Sequence, residues 1–217
     1  MMDFRTLFAG KGEKAVRYMN KKYGKAFGDE FSIHDVEYAG FTSRADNYLM
    51  KSKRFQGVFI RVSYFERKYD TDYMEFHFYK QYQEYMQPIC EEILGECKVL
   101  MEFSMLPTSV YNEKTTFKTF MSTKDRLKSA IIIIKDDTNI FQKADMLLEE
   151  MKKRKVTQGE FRFVILKDYE PAKEFESHMD WGRYIDADYA KNILKFYDYA
   201  MDENYEVWHK GEGNWYL

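Results

Sequence analysis

Glu75 and His77 stand two residues apart in the run "DTDYMEFHFYKQYQEYMQPI", residues 70–89, with Asp70 and Asp72 just ahead of them. On a β-strand that spacing places a carboxylate and an imidazole on one face with parallel side chains, the start of a metal site. No third ligand is spaced to complete it, and a neutral imidazole needs partners to hold an ion. A second group lies in "ESHMDWGRY", where His178 and Asp180 sit beside Trp181 and Arg183 in a segment that reads as a loop. A loop carrying an imidazole, a carboxylate, an indole and a guanidinium could receive an anionic or sugar-like ligand. The plainer alternative is a surface loop anchored by its tryptophan.

Other chemistry is missing from the pattern. The chain contains no GxSxG, HExxH, Walker loop or dinucleotide fingerprint. "GKGEK" near the start has neither a preceding strand nor the following Ser or Thr. The acidic doublets Glu91-Glu92 and Glu149-Glu150 fall on solvent faces of predicted helices and do not resemble a tuned acid–base pair. Cys90 and Cys97 have no metal-type spacing. Two ordinary thiols and a short-loop disulfide both remain open for them. No catalytic residue, cofactor or metal is therefore expected.

Composition narrows the class further. The net charge of −2, from 34 basic and 36 acidic residues, gives no electrostatic reason for nucleic-acid binding. The one dense basic run, Lys152-Lys153-Arg154-Lys155, falls where a helix should end and suits its dipole. No apolar run is long enough for a membrane span or a leader peptide, so the chain as written reads as cytoplasmic. A cell-envelope location follows if a signal once preceded it. Aromatic residues reach 18%, with eighteen Tyr and eighteen Phe, and most of these rings are assigned to the core of a β-rich fold.

The elements that must position these residues can be read from periodicity. A helix is predicted from Gly12 to Phe27, with Ala15, Val16, Met19, Tyr23 and Phe27 on its apolar side and Gly28 as its stop. Strands follow in "FSIHDVEYAG", whose alternation breaks near Asp35, in "DNYLMKS" and in "GVFIRVSYF". "DYMEFHFY" alternates as a fourth strand, with Met74, Phe76 and Phe78 on one face and Tyr73, Glu75, His77 and Tyr79 on the other. From Tyr82 a helical period takes over through Tyr85, Met86, Ile89 and Ile93, with Pro88 as a kink or a new first turn and Gly95 as the end.

The second half reads as a strand "CKVLMEFS", a short helix in "TTFKTFM" capped by Thr115 or Thr116, and a buried strand "SAIIIIKDD". A helix capped by Asp137 or Thr138 and a strand "GEFRFVILKD" come next. This β-α-β unit echoes the strand, helix and strand of residues 72–104, a hint of an internal repeat. For the last stretch a helix through Tyr189, Ile193, Tyr197 and Ala200 competes with a hairpin turning at Met201–Asn204, and the hairpin is preferred.

The order "AVRYMNKKYGKAF", strand, "DNYLM", strand, "YKQYQEYMQPICEEILGECKVLMEFS" and "IIIIKDD…ADMLLEEMKKR" resembles small uncharacterised proteins of Gram-positive, Clostridia-like bacteria. Many of these carry an N-terminal lipoprotein or membrane signal. The resemblance brings no activity and no functional residues with it.

The expected architecture is α+β: residues 1–106 as an N-terminal helix packed on an antiparallel, cystatin-like sheet, and residues 107–217 as a second β-α-β-containing unit that could share one sheet with the first. The expected function is a non-catalytic binding or protein-interaction module whose partner is another protein. Tyr73, Tyr79 and Trp181 are the surface candidates. A metal-dependent hydrolase using Glu75, His77 or His178 is one alternative, and an immunity- or antitoxin-type protein is another. Oligomeric state is not defined at this level.

Overall fold

The computed structural model describes residues 4–39, 44–103 and 107–213. The class is α+β, with an N-terminal helix ahead of an antiparallel sheet. The chain forms two compact units. The first comprises Met1–His77 and Met105–Thr115, and the second Phe78–Ser104 and Thr116–Leu217. Each unit has its own sheet.

In the first unit, helix α1 spans Phe4–Met19 and widens into a π-helical turn at Asn20–Gly24 before the short α2, Lys25–Phe27. The helix begins eight residues earlier than its apolar period suggests. Gly24, at the end of the π turn, is approached closely by the backbone that follows α2. A Cβ there would lie 2.7 Å from the Asp29 carbonyl oxygen, so the chain can turn back tightly only over a glycine. Gly28, at φ 67°, ends the helix as expected. Four antiparallel strands follow in sequential order: β1 (Phe31–Glu37), β2 (Asp46–Ser52), β3 (Phe59–Phe65) and β4 (Lys68–Thr71). β1 carries a bulge between Ile33 and Asp35, where the sequence alternation breaks. Phe31, Tyr48, Met50, Ile60 and Val62 are buried, as are Ala15, Met19 and Tyr23 on the helices. β4 was not expected. It is short, and β3 reaches it through a two-residue turn at Glu66 and Arg67, both with positive φ.

The largest correction concerns residues 73–79. They are not a strand but the first turns of α3, Tyr73–Leu94, which runs through Pro88 without a break in assignment. Tyr73, Met74, Glu75, Phe76 and Phe78 are all buried. A helix buried almost all round loses its apolar stripe, and chance alternation then imitates a strand. The start signal was present nonetheless: Asp72 and Glu75 stand at the spacing of a capping box ahead of an apolar run. The Tyr73 N–H donates to Thr71 Oγ1 at 3.2 Å and the Glu75 N–H to the Asp72 carbonyl at 2.9 Å. With no strand at 72–79, the suggested internal repeat disappears.

The second unit holds a five-stranded sheet ordered β5 (Cys97–Glu102), β6 (Lys128–Ile134), β7 (Gln158–Leu166), β8 (Ile193–Met201) and β9 (Val207–Glu212). Only β6 and β7 are parallel, joined through α5, Ile140–Arg154. This is the β-α-β unit expected from the sequence. Leu100, Ile131, Ile133, Val164, Leu166 and Phe196 pack on one face with Ala172, Phe175 and Trp181. Alternation places Ile132, Ile134, Phe163 and Ile165 on the other, where Phe141 of α5 meets the Tyr197 ring edge-on at 5.6 Å. A central strand buried on both faces explains the run of four isoleucines.

α4, Phe117–Ser122, is capped by Thr116, whose side chain accepts from the Thr119 N–H. α5 starts later than Asp137 or Thr138 would allow, because those side chains are engaged elsewhere. The Asp137 carboxylate accepts from Tyr197 Oη at 2.7 Å, and Thr138 Oγ1 donates to Asp136 at 2.7 Å. Asn139, in the left-handed region, precedes the helix instead. The preferred hairpin is present as β8 and β9, with α6, His178–Asn192, immediately before it.

Candidate functional site

The expected Glu75–His77 pair is separated by the helix. Residues two apart on a helix point about 200° from one another. Tyr73 and His77, four apart, share a face instead. Tyr73 is completely buried, at the centre of a ring cluster. Tyr23 lies 4.7 Å away, Phe31 5.3 Å, Phe55 5.5 Å and Phe27 5.8 Å between centroids. These rings form a packed core with Tyr73 at its centre, as the assignment of most aromatic residues to the core anticipates.

Arg54 closes the edge of this cluster. Its guanidinium lies 5.9 Å from the Phe27 ring and 5.4 Å from Phe55, within cation–π range. Its Nη1 is 3.4 Å from Tyr73 Oη and 3.5 Å from His77 Nδ1. Guanidinium only donates, so His77 Nδ1 is the acceptor and the neutral ring carries its proton on Nε2. Burial, then the Arg54 charge, hold the His77 pKa below the ordinary imidazole range. Glu75 is buried at 3% exposure. Asp72 beside it is also buried, and desolvation pushes its pKa well above the carboxylate range against a 2.9 Å hydrogen bond from the Arg61 N–H. Tyr79 is half-buried in the second unit with its ring edge-on to Phe103 at 5.7 Å.

The residues around Trp181 are not in a loop. Ser177 caps α6 and forms a capping box with Asp180, whose Oδ2 accepts from the Ser177 N–H at 2.9 Å. Asp180 therefore starts a helix, and the Ser-x-x-Asp spacing was the available signal. Trp181 is 1% exposed in the core, T-shaped to Phe175 at 6.4 Å. Neither it nor Tyr73 is a surface residue. Arg183 is exposed and 3.6 Å from Asp180. The His178 side chain lies outside the described residues. Cys90 and Cys97 are both buried free thiols, which closes the disulfide alternative. Among the described residues, no group of three or more His, Cys, Asp or Glu side chains could hold a metal ion.

The feature that the sequence did not single out is a groove in the first unit. Gly12, Val16 and Arg17 of α1 form one wall with Glu13, and Ile33, Val36 and Tyr38 form the other, enclosing about 560 Å³. A Cβ on Gly12 would stand 3.7 Å from Ile33 Cγ1, in ordinary van der Waals contact, so helix and strand meet there at the groove floor. β1 is an edge strand that, among the described residues, pairs with β2 alone. The Lys53 N–H donates to the Glu30 carbonyl at 3.1 Å. By antiparallel alternation Ser32 then pairs with β2 through its main chain, while Phe31 and Ile33 turn theirs outward. Asn20 Oδ1, from the π turn, accepts the Phe31 N–H at 3.2 Å. The Ile33 main chain comes next along the edge, beside the groove. The two available signals were an interior helical glycine and the broken alternation near Asp35.

No protein-family profile matches the chain, and no curated protein matches it. Among solved structures it is similar to the crystal structure of a DUF5037 family protein from Ruminococcus gnavus. The two are 12% identical with a TM-score of 0.44, over 88% of this chain and 91% of that one.

Proposed function

We propose that this protein is a non-catalytic protein-interaction module that receives an extended segment of a partner protein along β1, against α1. The observation that carries this reading is the coincidence of an apolar groove with an edge strand whose Ile33 main chain turns outward. A strand added at a sheet edge gains affinity from main-chain hydrogen bonds and specificity from pockets for alternate side chains. Val16, Ile33 and Val36 supply such a pocket. Glu13 and Arg17, one helical turn apart, supply opposite charges beside it. The partner segment is therefore extended, apolar at alternate positions and free of proline at the pairing residues.

The test is selection of peptides from a displayed random library on the immobilised chain, followed by titration of the enriched peptides. Ile33→Pro removes the outward N–H, and Gly12→Leu fills the groove with a side chain that a helix tolerates. The expected result is binding weakened by about tenfold or more in each variant, with circular dichroism unchanged. Failure to enrich any peptide, or binding indifferent to both substitutions, would refute the proposal.

A further inference from the structure

The second unit also ends in an edge strand, and its chemistry points to a different occupant. Among the described residues β9 pairs with β8 alone. The Gly213 N–H donates to the Phe196 carbonyl at 3.1 Å. Residues 211 and 209 therefore belong to the same inward series, paired with Asp198 and Ala200. Lys210 and Glu212, opposite Tyr199 and Tyr197, fall in the alternate series and turn their N–H and C=O groups away from β8. Both side chains are exposed, and Gly211 lies between them. The register shift between Ala200 and Met201 leaves Trp208 72% exposed, with Val207 next to it at 38%.

A strand of this kind can pair with itself about a two-fold axis. The axis position decides which charges meet. Centred on Lys210 it sets lysine against lysine, and centred on Glu212 it sets glutamate against glutamate. Centred on Gly211 it sets each Lys210 against the other copy's Glu212, and both are residues whose main chains face outward. We propose that β9 pairs antiparallel with β9 of a second copy of this chain about Gly211. About four main-chain hydrogen bonds form, two for each Lys210–Glu212 pair, together with two ion pairs. The absence of a side chain at Gly211 lets the strands meet at the axis without a clash. Trp208 beside the junction supplies apolar area. Lys210 Nζ lies 3.9 Å from Asp145 Oδ2 in an exposed contact too long to fix its direction. Six residues bury less than a standard interface, so the dimer is weak and depends on concentration.

Sedimentation velocity of the full chain over a range of concentrations tests this. Glu212→Lys sets lysine against lysine and Lys210→Glu sets glutamate against glutamate. The double exchange Lys210→Glu/Glu212→Lys restores opposite charges. The expected result is reversible dimerisation of the natural chain, weakened by about tenfold or more in each single variant and recovered in the double. Amide exchange at Lys210 and Glu212 should slow as protein concentration rises, while the Trp181 core is unaffected. A chain monomeric at its highest soluble concentration, a dimer indifferent to the single substitutions, or a double variant that stays dissociated would each overturn the proposal.

Discussion

Replacing Gln87 by alanine should unfasten the β5 edge of the five-stranded sheet. β5 is the other outer strand of that sheet, and its open side is closed by side chains of α3 rather than by another strand. Gln87 Nε2 donates to the Cys97 carbonyl at 2.7 Å, and its Oε1 accepts the Val99 N–H at 2.9 Å. One helical turn earlier, Gln83 Oε1 accepts the Met101 N–H at 3.1 Å. The two amides imitate a neighbouring strand along an edge whose residues are buried, with Val99 at 1% exposure and Met101 at 2%. Gln87→Ala leaves one buried donor and one buried acceptor unmet. At about 1–2 kcal/mol each, less a few tenths gained from alanine's helix propensity, the net cost is about 2–3 kcal/mol. Gln83→Ala exposes one buried group and should cost about 1 kcal/mol. Among the described residues both tryptophans, Trp181 and Trp208, lie in the second unit, and Trp181 is in its core. Urea titration followed by tryptophan fluorescence therefore reads this unit separately from the first. Hydrogen exchange at Val99 and Met101 adds a local measure. If Gln87→Ala lies within about 0.5 kcal/mol of the natural chain and Val99 keeps its protection, water or a shifted helix satisfies the edge and the reasoning fails.

The Glu66–Arg67 turn places two non-glycine residues at φ 46° and 66°. Exchanging them for Asn-Gly should stabilise the first unit by about 1–2 kcal/mol, read by far-ultraviolet circular dichroism, and an unchanged midpoint would refute the strain. Asp72 carries a pKa raised by burial, so the folded state holds its proton more firmly than the unfolded state. It therefore opposes folding as pH rises above about 4, and the penalty grows until the folded pKa is passed. Asp72→Asn should match the natural chain near pH 3 and exceed its stability near pH 7, read by urea titration at the two values. A variant weakened equally at both values would show that ionisation of Asp72 carries no penalty, and the reasoning fails. Burial pushes the Cys97 thiol up to about 12 and the Cys90 thiol well up. Neither should react with a disulfide reagent until the protein unfolds, and rapid labelling of the native chain would contradict that.

The legibility of each element followed its surroundings. Strands β2, β3, β6 and β7 and helix α5 were visible because each has a regular pattern of burial, one face or both, that the residue types reproduce. The start of α3 was hidden because burial on nearly all sides removes any stripe, so Tyr73, Phe76 and Phe78 could be read with either period. Both helix starts mistaken for something else carried capping spacings, Asp72 with Glu75 and Ser177 with Asp180, and local hydrogen bonds rather than hydrophobic pattern were the evidence there. Of the charged residues considered for chemistry, Asp180 is bound up in a capping box and Glu75 is buried in the first turn of α3. The groove was hidden for another reason: Gly12 and Ile33 are twenty-one positions apart in sequence, and no local window contains both.

The sequence by itself determined the α+β class, the aromatic core, the bulged first strand and the β-α-β unit, because these depend on short-range alternation, helical period and turn residues. Tertiary structure alone decided that Tyr73 and Trp181 are core rather than surface, and that β1, β5 and β9 lie at sheet edges. An edge is defined by the strand that is not beside it, and that depends on how distant segments pair rather than on any residue within the strand.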